Sequence, residues 1–225
     1  MGSRPLDLSN FKAVIIDVDD TLSLTEEGCF HLENEVLRQM GRPAMTRHVH
    51  KTTWGSDTAT AIARRSPGVD VEKFQRLWPI VHQEFLIDNR VDVIPPQNLE
   101  AIDKLRRSGL KIFLLTSRTY AELKHMMEPD HELANRVDSF YYWDNMEYHK
   151  PDPRAFLHIE KDHGLKPSEC VYAGDSPSDA AASTKAGLSF IACLESGLRP
   201  TSEFEDYEVL AFIDHFADVA NVHTN

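Results

Sequence analysis

The chain has 225 residues, of which 41% are hydrophobic, so it can bury the core of one α/β domain, with or without an inserted subdomain. Its formal net charge of −12 argues against a nucleic-acid backbone as a partner, and no apolar run approaches the roughly 20 residues of a membrane span. The cysteines Cys29, Cys170 and Cys193 are too few, and odd in number, for a disulfide framework, which predicts a reducing, cytoplasmic location.

The first predicted element is a buried strand over residues 11–17. Its apolar run, Val14-Ile15-Ile16, is continuous rather than alternating, which is typical of a parallel strand covered on both faces. The strand leads directly into Asp17 and Asp19. Because ligands of open α/β sheets lie beyond the carboxyl ends of the strands, we expect both carboxylates at the mouth of a site. An acidic turn is the alternative interpretation.

The next block, residues 22–92, has no long β-branched run and predicts helices over 26–40, 57–65 and 70–90, with Ser56 as the N-cap of the second helix. Pro79 should kink or split the third helix. The block is too long for a simple crossover between strands. We therefore expect a helical cap domain over 22–92, inserted into an α/β core domain formed by 11–21 and 93–225.

Strands and helices alternate in the rest of the chain. The patterns predict strands over 110–115, 137–143, 169–173, 188–193 and 208–212, and helices over 97–108, 119–127, 153–163 and 179–186. Asp152 should cap the third of these helices, with Pro153 at its first position. This alternation predicts a Rossmann-like, three-layer α/β core with a parallel sheet.

Polar groups follow four of the predicted strands: Asp17, Thr116, Lys150 and Asp175. Chance would scatter such groups between both ends of the strands. The run Asp17-Val18-Asp19-Asp20-Thr21 resembles the first motif of the haloacid dehalogenase superfamily, Asp-x-Asp-x-Thr, although many relatives have Gly where this chain has Asp20. The other three superfamily motifs have counterparts, in order, at Thr116, Lys150 and 174–179. The helical block lies between the first two motifs, as in phosphoglycolate phosphatases and β-phosphoglucomutases.

This resemblance implies a Mg²⁺-dependent phosphatase that acts on a small phosphorylated metabolite. Asp17 would be the nucleophile, since a carboxylate can form an aspartyl phosphate, and Asp19 would serve as general acid and then as general base. Thr116 and Lys150 would bind the phosphoryl group. The implied metal site comprises Asp17, the Val18 carbonyl, Asp19, Asp175 and Asp179, the last acting through water or by orienting the other ligands.

Further substrate contacts are expected from the Ser117 backbone, from Arg118, and from Trp54 and Gly55 in a predicted cap loop over 48–55. Arg118 could instead be a solvated residue at a helix start, and Trp54 could belong to the core of the cap. A monomer and a homodimer are both compatible with the sequence.

Three rival functions differ in specific residues. Superfamily dehalogenases lack the second carboxylate, so Asp19 disfavours dehalogenation. A β-phosphoglucomutase-like mutase has Lys just before the cap-loop glycine, where this chain has Trp54 before Gly55. A non-catalytic phosphometabolite-binding protein on the same fold would be favoured by the loss of a motif residue, and none is lost.

Overall fold

The structure, a computed structural model, describes residues 7–55 and 58–220. The chain folds as two compact units. The first contains the residues up to Leu22 and from Ile94 onward, and the second, called the helical unit below, is Ser23–Val93. Among the residues that the structure describes, no helix has the length and apolar character needed to cross a lipid bilayer.

The first unit is built on a six-stranded parallel sheet with the order β3-β2-β1-β4-β5-β6. The strands are β1 (Ala13–Ile16), β2 (Lys111–Leu115), β3 (Ser139–Tyr141), β4 (Cys170–Gly174), β5 (Ser189–Cys193) and β6 (Val209–Ile213). All six predicted strands are therefore present. The predicted Rossmann-like core is confirmed, because this is the order of doubly wound dinucleotide-binding sheets.

Helices cover both faces of the sheet. They are α5 (Pro96–Arg107), α6 (Tyr120–Leu123), α7 (Leu157–His163) and α8 (Pro177–Ala186). Strand β1 shows why its sequence is continuously apolar: Val14 and Ile16 belong to a core that includes α5, whereas Ala13 and Ile15 belong to a second core that includes residues of α7 and α8. The strand is thus buried on both faces.

Two helices of this unit differ from their predicted form. Only a single α-helical turn forms in the predicted helix over 119–127, and a 3₁₀ turn, Lys124–Met127, follows it. The helix predicted from Pro153 begins as a 3₁₀ turn, Pro153–Phe156, before α7. Its predicted cap is confirmed, since the Asp152 carboxylate accepts a hydrogen bond from the Arg154 amide at 2.9 Å.

The helical unit contains α1 (Glu26–Gln39), α2 (Arg47–Thr52), α3 (Thr58–Arg65) and α4 (Val71–Ile87). Most of its core is formed by apolar residues of α1, α3 and α4, among them Leu32, Val36, Ile62, Phe74, Val81 and Phe85. Pro79 lies inside α4, which continues through it, so of the predicted kink or split the split does not occur. The predicted N-cap of α3, Ser56, lies outside the described residues.

Helix α2 occupies most of the stretch over 48–55 that was predicted as a loop. Thr46 caps it by accepting a hydrogen bond from the Val49 amide at 3.3 Å. His50 is fully buried on its inner face, where Nδ1 lies 2.6 Å from a carboxylate oxygen of Glu26. The loop prediction was wrong because this helix is short and is held by a buried side-chain contact between His50 and Glu26, which leaves no apolar periodicity in the sequence.

Candidate active site

The central strands β1 and β4 mark the point where the sheet order reverses. Ligands of doubly wound sheets bind outside the carboxyl ends of the strands at this point. Asp17 directly follows β1 and Asp175 directly follows β4. Thr116 follows β2, which pairs with β1 on its other side. Parallel pairing therefore brings three of the predicted polar groups to one edge of the sheet.

A cluster of three buried carboxylates lies at this edge. Asp17, Asp175 and Asp179 each offer an oxygen, and these oxygens all lie within 4.8 Å of one another. The ammonium of Lys150 is 3.0 Å from Asp17 Oδ1 and 2.7 Å from Asp179 Oδ1. These residues of the first, third and fourth predicted motifs therefore meet in space.

Asp179 is held by the start of helix α8. The Ser176 hydroxyl and amide donate hydrogen bonds to Asp179 Oδ2 at 2.6 and 3.0 Å, and the Asp179 amide donates to Ser176 Oγ at 3.2 Å. This capping box, with Pro177 at the first helical position, explains why the helix begins at 177 rather than at 179. A Cβ on Gly174 would lie only 2.7 Å from Asp179 Cβ, so this carboxylate fits only against glycine.

Tyr172, in strand β4, is a site residue that the sequence did not indicate. Its hydroxyl accepts a hydrogen bond from Lys150 at 3.0 Å and donates one to Asp179 Oδ1 at 2.9 Å. The available signal, a tyrosine inside an apolar strand, predicts only that the ring is buried.

Burial and charge set the protonation of the site. Burial raises the pKa of Asp17 to about 7; the Lys150 ammonium opposes this rise, and the carboxylates of Asp179 and Asp19 add to it. Burial and the same kind of repulsion, from Asp179 and Asp17, raise the pKa of Asp175 well above its ordinary value.

Lys150, Asp179 and Tyr172 remain in their ordinary charge states. Burial alone would lower the pKa of Lys150, but the Asp17 and Asp179 carboxylates raise it. Burial alone would raise the pKa of Asp179, but the Lys150 charge and hydrogen bonds from Lys150, Ser176 and Tyr172 lower it. Burial, followed by the charges of Asp17 and Asp179, raises the pKa of Tyr172 well above its ordinary value, so its hydroxyl keeps its proton.

The donor set fits a hard divalent cation. Mg²⁺ prefers oxygen ligands, and carboxylates supply them. One ammonium lies among three carboxylates here, and burial together with repulsion between the carboxylates raises the pKa values of Asp17 and Asp175. A bound cation reverses this effect and favours the charged carboxylates. Asp17, Asp175 and Asp179 are thus the residues that could hold it.

The other two predicted metal contacts, the Val18 carbonyl and Asp19, lie in the turn that follows β1. The Val18 carbonyl accepts a hydrogen bond from the Leu22 amide at 3.1 Å within the turn that follows β1. Asp19 is not a member of the carboxylate cluster. In the same turn Asp20 has a φ of +55°, a conformation that favours glycine.

Asp19 is instead bonded to Arg118. The Arg118 Nη2 atom lies 2.6 Å from Asp19 Oδ1, and Nε lies 3.1 Å from Oδ2. Only 10% of the Arg118 side chain is exposed, so its alternative interpretation as a solvated residue is wrong. The Arg118 amide donates to the buried Thr116 hydroxyl at 3.2 Å, whereas Ser117 between them is exposed.

Trp54 and Gly55 belong to the helical unit. They follow α2, where the half-buried Trp54 ring lies 5.2 Å from the His50 ring. Gly55 has a φ of +87°, so the chain turns there in a conformation that glycine adopts without strain.

Comparisons with known proteins agree with this arrangement. The model of the haloacid dehalogenase-like hydrolase family matches residues 14–193. A phosphoglycolate phosphatase of Nitrosospira multiformis is 26% identical over 192 residues, which cover 83% of this chain and 84% of that protein.

Solved structures share the fold. A predicted phosphoglycolate phosphatase from Haemophilus somnus superposes with a TM-score of 0.78 at 19% identity, covering 93% of this chain and 96% of that one. A candidate β-phosphoglucomutase from Thermotoga maritima gives 0.78 at 21% identity, covering 94% and 97%. The family model spans most of the chain and includes all four motifs, so the chain belongs to the haloacid dehalogenase-like hydrolase family, as its motifs predict.

Proposed function

We propose that this hydrolase is a Mg²⁺-dependent phosphatase that acts on a small phosphorylated metabolite through an aspartyl-phosphate intermediate. The observation that carries the proposal is the Lys150 ammonium, bonded to Asp17 and paired with Asp179 beside Asp175 at the sheet's switch point. This arrangement offers a nucleophile and positive charge for a phosphoryl group, at the edge of the sheet where ligands of this fold bind.

In the first step an Asp17 oxygen attacks phosphorus, and the bond from phosphorus to the leaving oxygen breaks. Lys150 and the Thr116 region bind the phosphoryl oxygens, and positive charge there offsets their repulsion from the nucleophile. Asp19, in its protonated form, gives its proton to the leaving oxygen. Arg118 orients the Asp19 carboxylate for this transfer through its two-nitrogen contact.

In the second step water hydrolyses the aspartyl phosphate. Asp19, now a carboxylate, accepts a proton from the water as the water oxygen attacks phosphorus. The bond from phosphorus to Asp17 breaks, which releases inorganic phosphate and restores the nucleophile. A Mg²⁺ ion held by Asp17 and Asp175, with Asp179 beside them, would supply the charge compensation that this anionic site needs.

Two rival functions can be weighed against specific residues of the chain. A phosphomutase would use the same aspartyl phosphate, and the fold similarity to a candidate β-phosphoglucomutase is compatible with it. Trp54 in place of the cap-loop lysine disfavours that activity. A non-catalytic binding protein is disfavoured because nucleophile, lysine and acidic residues are all present.

The names of the relatives suggest a class of substrate. The phosphatase of Nitrosospira multiformis is named for phosphoglycolate, so small phosphorylated carboxylic acids are the first candidates. Trp54 and Gly55 remain the proposed contacts of the leaving group, and a cytoplasmic location remains the expectation from the cysteines.

Asp17→Asn tests the proposal directly. The amide keeps the shape of the carboxylate but is a poor nucleophile, so phosphate release from a panel of monoesters with Mg²⁺ should nearly stop. Because the variant also removes charge from a buried, crowded site, its melting temperature should hold or rise. Asp103→Asn, which alters an ion pair on helix α5, is the control and should keep full activity. Substantial turnover by folded Asp17→Asn protein would exclude Asp17 as the nucleophile.

A further inference from the structure

Tyr172 brings a hydroxyl from the interior of the sheet into the carboxylate site. Its ring is fully buried and lies edge-on to the Phe156 ring, with a centroid distance of 5.2 Å and an interplanar angle of 74°. The Phe190 ring lies 6.2 Å away on the neighbouring strand β5. Because these core contacts fix the phenol ring, they also fix the position of its hydroxyl.

The hydroxyl completes the set of acceptors around the Lys150 ammonium. An ammonium group has three N–H donors, and three oxygens lie close to Nζ: Asp179 Oδ1 at 2.7 Å, Asp17 Oδ1 at 3.0 Å and Tyr172 Oη at 3.0 Å. The Tyr172 hydroxyl in turn donates a hydrogen bond to Asp179 Oδ1 at 2.9 Å. The hydroxyl therefore accepts one hydrogen bond, from Lys150, and donates one, to Asp179.

We propose that Tyr172 is a positioning residue that holds the Lys150 ammonium between the nucleophile and Asp179. The inference rests on the proposed function, because the ammonium matters through the phosphoryl group that it binds. A lysine side chain is long and flexible, and two carboxylates leave the ammonium free to shift along the line between them. A third contact from a rigid strand defines the point at which Nζ is held.

If Tyr172 has a purely structural role, loss of its hydroxyl should have a different effect. If Tyr172 only fills space in the core, Tyr172→Phe keeps the ring and should leave catalysis unchanged. The matched control is Tyr141→Phe on strand β3. Tyr141 is also a buried strand tyrosine, and its hydroxyl donates to Asp162 Oδ2 at 3.2 Å rather than to a site residue.

The experiment compares both variants with the wild-type protein. We measure kcat and KM for 4-nitrophenyl phosphate with Mg²⁺, inhibition by inorganic phosphate, and the melting temperature. Hydrogen bonds to charged groups are strong enough for Tyr172→Phe to lower kcat/KM by roughly 10- to 100-fold and to weaken phosphate inhibition. Tyr141→Phe should change neither. Equal kinetics for the two variants would overturn the inference.

A double-mutant cycle separates action through Lys150 from a general disturbance of the site. In single-turnover measurements on a Lys150→Met background, Tyr172→Phe should cost less than twofold, because the group that it positions is gone. The same large loss on both backgrounds would overturn the inference while leaving the proposed function standing. Wild-type turnover that does not depend on Asp17 would overturn both.

Discussion

Arg118 holds the carboxylate of Asp19 through two guanidinium nitrogens, with contacts of 2.6 Å from Nη2 and 3.1 Å from Nε. The planar guanidinium matches a carboxylate in this geometry, so the contact fixes direction as well as distance. A carboxylate that must face first a leaving oxygen and then a water needs such orientation. We therefore expect Arg118 to affect catalysis through Asp19.

Arg118→Met should slow alkyl phosphate esters more than aryl esters. Alkyl leaving groups depend on protonation, which requires a well-oriented Asp19, whereas an acidic phenol departs without it. The loss for an alkyl ester should be about 10-fold or more, on the scale of a hydrogen bond to a charged group. Steady-state kcat values for both ester types, at saturating Mg²⁺, give the measurement.

Arg136→Met is the matched control for this substitution. Arg136 forms a similar two-nitrogen pair with Asp103, at 2.9 and 3.0 Å, but neither residue is part of the site. Its removal should leave the ratio of alkyl to aryl rates unchanged. The expectation for Arg118 would be contradicted by an equal slowing of both ester types.

Mg²⁺ should stabilise the protein more as pH rises. The pKa of Asp17 is about 7 in the folded protein, against roughly 3.9 in an unfolded chain. Between these values the folded state binds the extra proton, so this group makes metal-free stability fall as pH rises from about 4 to about 7 and then level off. The raised pKa of Asp175 acts in the same direction.

Cation binding competes with these protons and occurs in the folded state. The rise in melting temperature on replacing a chelator with Mg²⁺ should therefore be larger near pH 8 than near pH 5. Asp17→Asn, which has no proton to lose at this position, should show a smaller dependence on pH. A Mg²⁺ effect of equal size at both pH values would show that protons on Asp17 and Asp175 do not compete with the cation.

Hydrophobic pattern and strand ends made most of the core predictable. A continuous apolar run marks a doubly buried strand, and the carboxyl ends of parallel strands meet at one edge. From the sequence alone, these two rules place Asp17, Thr116 and Asp175 at the same edge. Both rules depend only on the local sequence and on the alternation of strands and helices, which can be inferred from one sequence.

The unpredicted contacts join residues that are distant in the chain. Arg118 and Asp19 are separated by 99 positions, and Lys150 and Tyr172 by 22. Such contacts depend on loop conformation and on ring packing, and periodicity carries no information about either. Tyr172 in particular reads as an apolar strand residue, because its ring is buried and only its hydroxyl reaches the site.

Gly174→Ala should damage activity and stability together. An added methyl group would lie 2.7 Å from Asp179 Cβ and Cγ, so the helix start or the carboxylate must move. That displacement disturbs the partner of Lys150, and turnover of 4-nitrophenyl phosphate should fall at least 10-fold, since a misplaced site group can cost about 100-fold. The melting temperature should also fall, as expected for overpacking.

Gly109→Ala separates backbone strain from damage to the site. Gly109 precedes β2 at the opposite edge of the sheet, has a φ of +90°, and offers open space for a Cβ. It should lose stability through its left-handed conformation but keep kcat. Unchanged kcat in Gly174→Ala would mean that the position of Asp179 does not matter for turnover.

The damage from Asp19→Asn should depend on the leaving group. Asp17 can still attack, since its nucleophilicity does not need Asp19. An aryl phosphate with an acidic phenol leaves without protonation, so the first step survives in part. An alkyl alcohol leaves poorly as the alkoxide, so its first step should nearly stop. General acid–base catalysis contributes about 10²–10⁴-fold, which sets the expected divergence of the two substrates.

The second step loses its general base with either ester, so phosphoenzyme should accumulate with the aryl substrate. Rapid mixing should then show a burst of phenol followed by slow turnover, and the alkyl ester should give no burst. Asp20→Asn is the control, because it removes a buried charge from the same turn and asparagine tolerates the left-handed conformation. It should slow both esters alike. If Asp19→Asn does the same, with no burst from either ester, Asp19 positions the turn or the cation and does not transfer the proton.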